Sequence, residues 1–143
     1  MKTATKIIIY LGVFLSLGTV AQASNLDACF NVASTRYQIP VKLLKAIAKT
    51  ENRKLDELAV GVNTNHSFDI GIMQINSSWF PMLNKVGIAK ADLFDGCKNI
   101  QIGSWILAQN IKRYGFSQQA IGAYHSPTPE LQQHYAQLVM SNM

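Results

Sequence analysis

This chain has little charge and no dense cluster of it. Only 15% of its 143 residues are charged, and Lys and Arg never gather into the patches that nucleic-acid binding requires. Cysteine is limited to Cys29 and Cys97, and histidine to His66, His125 and His134. None of these stands at a metal-ligand spacing, so neither a metal site nor a cofactor is expected. Repeats, low-complexity tracts and interdomain linkers are also missing, which leaves a single domain as the simplest organisation.

The N-terminus carries an address. Lys2 and Lys6 precede the apolar run Ile7 to Leu17, and Ala21-Gln22-Ala23 is a small-x-small cleavage site. The pattern reads as a secretory signal peptide over residues 1–23, its apolar core being too short to span a bilayer comfortably. An uncleaved anchor is the competing reading. After cleavage the chain would begin at Ser24, outside the cytoplasm and without a stable membrane anchor.

Residues 24–143 suffice for one domain with its own core. Losing Lys2 and Lys6 takes the basic count from 13 to 11 against 8 acids, a net charge of +3. An anionic polymer such as cell wall suits that balance, although charge alone selects none. In an oxidising compartment Cys29 has one intramolecular partner, so a Cys29–Cys97 disulfide is expected, with two free buried thiols as the alternative.

Periodicity predicts a mostly helical domain. Helices are expected over Leu26–Arg36, from Pro40 to Glu51, within Ile72–Leu83, over Cys97–Tyr114 with Gly115 as its stop, and near Gln118–His125 and Thr128–Ser141. Asp92 to Gly96 reads as a turn. Between Leu55 and Ile70 the periodicity disappears among Asn, Ser, Asp and Gly, marking an irregular segment with room for a short hairpin.

Within the second helix Leu44, Ile47, Ala48 and Glu51 share one face, and Lys42, Lys45 and Lys49 take the other. A carboxylate on an apolar stripe loses hydration, and near a helix C-terminus it also meets the unfavourable end of the macrodipole. Both raise its pKa, as a general acid working near neutral pH requires. The alternative is that the helix ends and Glu51 turns into solvent.

The polar segment after Glu51 runs into Asp69-Ile70-Gly71-Ile72-Met73-Gln74-Ile75-Asn76. Together they suggest a groove with Glu51 on one wall and the Gln74 and Asn76 amides near its floor. Amides donate and accept, which suits sugar hydroxyls and acetamido groups. Tyr124 adds a flat face with a polar tip. Met73 and Ile75 fit a core role as well as a ligand role, Gln74 fits a cap, and Trp79 and Trp105 fit packing. His125 reads as a solvated surface residue.

These segments, with Cys97-Lys98-Asn99-Ile100, Gly103, Ile106-Leu107 and Ala120-Ile121-Gly122-Ala123-Tyr124, make the chain resemble the soluble lytic transglycosylase domain family. Within it the resemblance is to small exported members that accompany secretion, conjugation and pilus systems, and it covers Leu26 to Val139. It implies an α+β, predominantly α-helical, lysozyme-like fold and a catalytic glutamate at Glu51. It implies glycan contacts from Gly71, Met73, Gln74, Ile75, Asn76 and Tyr124, with Asp69 as a further candidate. Two departures stand out: Asn52 where serine is common, and His125-Ser126-Pro127 where the family has Asn-Ala-Gly.

The activity implied is cleavage of the MurNAc-β-1,4-GlcNAc bond of peptidoglycan with formation of a 1,6-anhydro end, in the periplasm of a Gram-negative bacterium. A type III, type IV or conjugative apparatus is the partner the resemblance suggests. Two other readings stand beside it. One is a hydrolytic lysozyme that uses Asp69 as its second acid, Asp56 and Glu57 looking solvated; Asp69 could instead organise the polar loop by accepting backbone N–H bonds. The other is a non-catalytic glycan-binding assembly protein.

Overall fold

The computed structural model describes the backbone of residues 18–143 and the side chains of residues 25–143. Lys2, Lys6 and the run Ile7 to Leu17, on which the expected signal peptide rests, lie outside the described residues. No helix among the described residues is long and apolar enough to cross a membrane.

Among the described residues there are six α-helices and a small sheet, the helices being α1 (Gly18–Tyr37), α2 (Val41–Glu51), α3 (Phe80–Lys85), α4 (Gly96–Tyr114), α5 (Gln118–Gly122) and α6 (Pro129–Ser141). The first helix starts well before the expected Leu26, since Thr19 to Asn25 contains no Pro or Gly to stop it. Its inner face is the expected one, with Leu26, Cys29, Phe30 and Ala33 all buried. Pro40, its φ fixed at −53°, stands just outside α2 as the N-cap. Asp95 caps α4 by accepting from the Lys98 N–H at 2.9 Å, and Gly115 ends it with a φ of 72° that favours glycine. The expected turn at Asp92–Gly96 is a 3₁₀ helix over Lys90–Phe94 running straight into α4.

The irregular segment holds the expected hairpin, and a third strand follows just beyond it, ahead of the helical part of Ile72–Leu83. Strands β1 (Val60–Val62), β2 (Phe68–Ile70) and β3 (Ile75–Asn76) form an antiparallel sheet in that order. Gly61 faces Asp69, and Asp69 in turn faces Asn76. Because side chains alternate along a strand, Ile70 enters the core while Asp69 points to the opposite face. Glu57, expected in solvent, is half-buried near Gly96, where an added Cβ would run into its Oε1.

The core lies where α1 packs on α4, α2 on α6 and α5 on α6. Leu44, Ile47, Ile72, Met73, Ile100, Leu107 and Val139 are among its fully buried side chains. The Cys29–Cys97 disulfide is formed, with a Cα–Cα distance of 5.2 Å, and fastens α1 to the first turn of α4. Closing a 68-residue separation stabilises the fold by about 4 kcal/mol in the chain-entropy picture.

Candidate active site

Glu51 is the last residue of α2 and continues the buried stripe of Leu44, Ile47 and Ala48. The Tyr135 hydroxyl, on α6, donates to its Oε1 at 2.6 Å. Burial pushes the Glu51 pKa from an ordinary 4.5 to about 7; the Tyr135 bond pulls it down, and the Asp69 charge adds a further push upward. With Oε1 accepting from Tyr135, Oε2 is left to hold and transfer a proton. Burial also raises the Tyr135 and Tyr124 pKa values, Glu51 being the next cause for each, so both hydroxyls remain donors.

The end of α2 is anchored on two sides. Asn142 donates to Thr50 Oγ1 at 2.9 Å, and Thr50 in turn donates to the Ala46 carbonyl. Asn52, the first of the two departures noted above, donates to the carbonyls of Asp56 at 2.8 Å and Gly71 at 3.3 Å. The departure therefore supplies a tie between the helix end and the turn before β3.

Glu51 lines a groove of about 940 Å³. One wall comes from the β1–β2 tip and the Asp69 face of the sheet, the other from α4 and the turn after α5, with Trp79, Asn110, Arg113, Tyr114 and Tyr124 among its lining. A second concavity of about 620 Å³ lies beside the disulfide, lined by Val32, Ile88 and Ile102 with Arg36 and Lys98. It contains no acid or free nucleophile, so the chemistry belongs to the first.

The structure brings Gln74, Ile75, Asn76, Asp69 and Tyr124 to the same groove as Glu51. Gly71 and Met73 are placed differently. Both are buried and outside the groove lining, so the expected direct ligand contact has no surface there. Their role is in the turn beneath. Gly71 has a φ of 79°, and a Cβ on it would stand 2.3 Å from Asn99 Nδ2. Met73 donates its N–H to Asn99 Oδ1 at 2.7 Å and accepts the Tyr124 hydroxyl on its carbonyl at 2.8 Å. The polar tip of Tyr124 is thus committed inward, leaving only its ring for a ligand.

The amides are partly committed as well. Gln74, at a φ of 47°, donates from its side chain to the Gly71 carbonyl at 2.8 Å. Asn76 donates to Asp69 Oδ1 at 2.7 Å and accepts from the Ser78 N–H. Asp69 does organise the polar loop, but through side-chain amides rather than backbone N–H groups: its second oxygen accepts from Asn63 at 2.8 Å. Trp79 packs edge-on against Trp105 at 5.7 Å, as expected, and lines the groove as well. His125 is exposed as expected, yet its ring stacks on Tyr135 at 4.9 Å.

Two important residues have no role assigned from sequence: Tyr135 goes unmentioned there, and Asn99 stands only as part of the Cys97-Lys98-Asn99-Ile100 motif. Tyr135 holds Glu51. Asn99, fully buried on α4, joins Met73 to the Ile70 and Leu93 carbonyls. Each carried a signal, since each is polar and falls on the apolar stripe of its own helix.

Residues 28–137 match the family model described as Transglycosylase SLT domain. The chain belongs to this family. Transglycosylase SLT relatives include a "Peptidoglycan-binding-like protein" of Escherichia coli O157:H7, 44% identical over 70% of this chain. This chain spans 64% of that relative's length. "Invasion protein IagB" of Salmonella typhi is 36% identical over 80% of this chain and 74% of its own. "Protein IpgF" of Shigella sonnei is 36% identical over 81% and 76% respectively. An SLT domain accounts for the fold seen here, a helical body with a small antiparallel sheet beside the groove.

Proposed function

We propose that this protein is a peptidoglycan lytic transglycosylase that cleaves the MurNAc-β-1,4-GlcNAc bond and leaves a 1,6-anhydro-muramoyl end. The observation that carries this reading is a carboxyl on the groove wall whose burial lifts its pKa to about 7. A group poised there can give a proton and take one back at neutral pH. Protonated Glu51 donates to the glycosidic oxygen as the C1–O bond breaks through an oxocarbenium-like state. The substrate's acetamido group stabilises the positive carbon. The Glu51 carboxylate then removes the proton from the C6 hydroxyl of the same muramoyl residue, whose oxygen bonds to C1. Glu51 ends protonated, ready for the next bond, and no second carboxylate is needed.

A hydrolytic lysozyme is the second reading. It draws on the position of Asp69, which lines the same groove and whose charge reaches Glu51. Digestion of purified peptidoglycan separates the two, with muropeptides identified by mass spectrometry and Glu51→Gln alongside. Anhydro-muramoyl ends formed only by the wild type are expected; reducing ends would transfer the assignment to hydrolysis with Asp69 as second acid.

The site of action we infer is the periplasm, after removal of residues 1–23. A local opening of the wall for a secretion, conjugation or pilus apparatus fits the name of the invasion-protein relative. Recovery of the exported protein with Ser24 as its first residue supports that location, and a retained N-terminus would count against it.

A further inference from the structure

Asn110 and Arg113 stand three residues apart on α4, so they share one side of the helix, and both line the groove. Arg113 is the one Lys or Arg among the groove's lining residues, against the carboxyl groups of Glu51 and Asp69. It makes no salt bridge with any described residue; its guanidinium lies 5.2 Å from the centroid of the Tyr114 ring. The Nδ2 of Asn110 is buried and meets no acceptor among the described residues. Buried amide donors left in that state are uncommon in folded proteins. Two neighbouring donor groups on one wall therefore lack an acceptor, and one of them is charged.

A sugar chain offers hydroxyls and acetamido groups, all neutral. Where peptidoglycan differs from other amino-sugar polymers is the muramoyl C3 substituent, which ends in a carboxylate. We propose that Arg113, assisted by Asn110, forms a carboxylate-binding subsite that receives this substituent and makes the groove prefer muramoyl strands to neutral ones. The inference rests on the reading of the groove as a peptidoglycan site. An Arg fork donates to both carboxylate oxygens at once, which orients the ligand as well as attracting it. The anion is also drawn toward α4 and away from Glu51 and Asp69, where it would meet like charge. Two sources can supply it: the lactyl carboxylate itself once the peptide is removed, or the carboxylates of a retained stem peptide.

The test is a binding measurement in the Glu51→Gln protein, which holds substrate without turnover. Three tetrasaccharides are compared by calorimetry at low salt: neutral chitotetraose, an amidase-denuded muramoyl strand, and the same strand with its peptides. Both muramoyl ligands, or one of them, should bind about ten-fold tighter than chitotetraose, as expected for a partly exposed charge-assisted contact. Arg113→Gln should abolish that preference, Arg113→Lys should keep part of it, and Asn110→Ala should reduce it less. The muramoyl ligand that loses affinity in Arg113→Gln identifies the source of the carboxylate. An unchanged preference in a folded Arg113→Gln protein would overturn the subsite while leaving the groove's glycan reading intact. If none of the three ligands binds even to the parent protein, that underlying reading fails and the subsite fails with it.

Discussion

The Tyr135 hydroxyl donates a 2.6 Å hydrogen bond to Glu51 Oε1 across 84 residues of sequence. It joins the last residue of α2 to the middle of α6, and it opposes the larger effect of burial on the carboxyl. The balance leaves Glu51 near pKa 7, ionisable and yet held in one orientation. A carboxyl buried without that donor would be harder to ionise and freer to turn.

If Glu51 is the acid, cleavage requires its protonated form. The pH profile of kcat/KM is then expected to fall on the alkaline side with an apparent pKa of about 7, ten-fold per unit beyond it. Glu51→Gln should lower the rate by roughly 10²- to 10⁴-fold while keeping the fold. A mutant with turnover comparable to the wild type would remove Glu51 from the mechanism.

Tyr135→Phe deletes the donor without disturbing the ring packing against His125. Because that bond stabilises the carboxylate, its loss should move the Glu51 pKa upward and carry the alkaline limb of the rate with it. Activity at neutral pH is expected to fall about ten-fold, since the freed carboxyl is no longer oriented and, with its pKa raised, becomes a weaker acid for its first step. The side-chain carboxyl can be titrated directly by carbon NMR. A downward movement would mean that Tyr135 favours the neutral acid instead.

How much of this is legible in sequence depends on how far apart the interacting residues lie. The buried stripe of α2 is local, so Leu44, Ile47 and Ala48 place Glu51 inward without any knowledge of α6. Tyr135 is also on a readable stripe with Ala136 and Val139, but a stripe does not name the partner that its hydroxyl meets. Asn99 resembles Glu51 in being polar on an apolar face, and its three backbone partners lie on β2, the turn before β3 and the 3₁₀ segment. Gly71 and Met73 belong to a recognisable segment whose outer and inner members only packing can separate. Asp69 shows the same limit: its polarity announces a loop contact, while Asn76 becomes a donor through strand register and Asn63 through the turn between β1 and β2.

Glu51 should also cost the protein stability. In the unfolded chain its pKa returns to about 4.5, so between pH 4.5 and about 7 the folded state holds more of the proton. Stability from this group is therefore fully present below pH 4.5, declines as pH rises through that window, and levels off above 7. Glu51→Gln carries no such charge and can still accept from Tyr135. It is expected to match the wild type in acid and to exceed it by up to ~3 kcal/mol above pH 7. Urea unfolding across this pH range gives the difference, and parallel curves for the two proteins would contradict a buried, raised Glu51.

The disulfide offers a cleaner measure of the scaffold because it lies away from Glu51. Replacing Cys29 and Cys97 by Ala, or adding a reductant, should remove about 4 kcal/mol and lower Tm by about 15 °C. Calorimetry with and without reductant checks this. A Tm that does not respond would indicate that α1 and α4 are held together by packing alone.

Asn99 is the residue on which the groove floor depends most. It accepts from Met73 N–H at 2.7 Å and donates to the carbonyls of Ile70 at 2.9 Å and Leu93 at 2.8 Å, all within a fully buried setting. Asn99→Ala leaves three backbone groups without partners where water does not reach, which should cost about 3 kcal/mol or more. Asn99→Asp keeps the size but replaces two donor contacts by an acceptor facing two carbonyls, so it should do no better than Ala. The loss should be felt first in the Gly71–Gln74 turn, and through the Met73 carbonyl it should loosen the Tyr124 ring above it. Amide exchange at Met73 is therefore expected to accelerate more than exchange in α1, which Asn99 does not touch. A destabilisation under about 1 kcal/mol, the size of an ordinary substitution, with Met73 still protected would show that the turn holds its shape without Asn99.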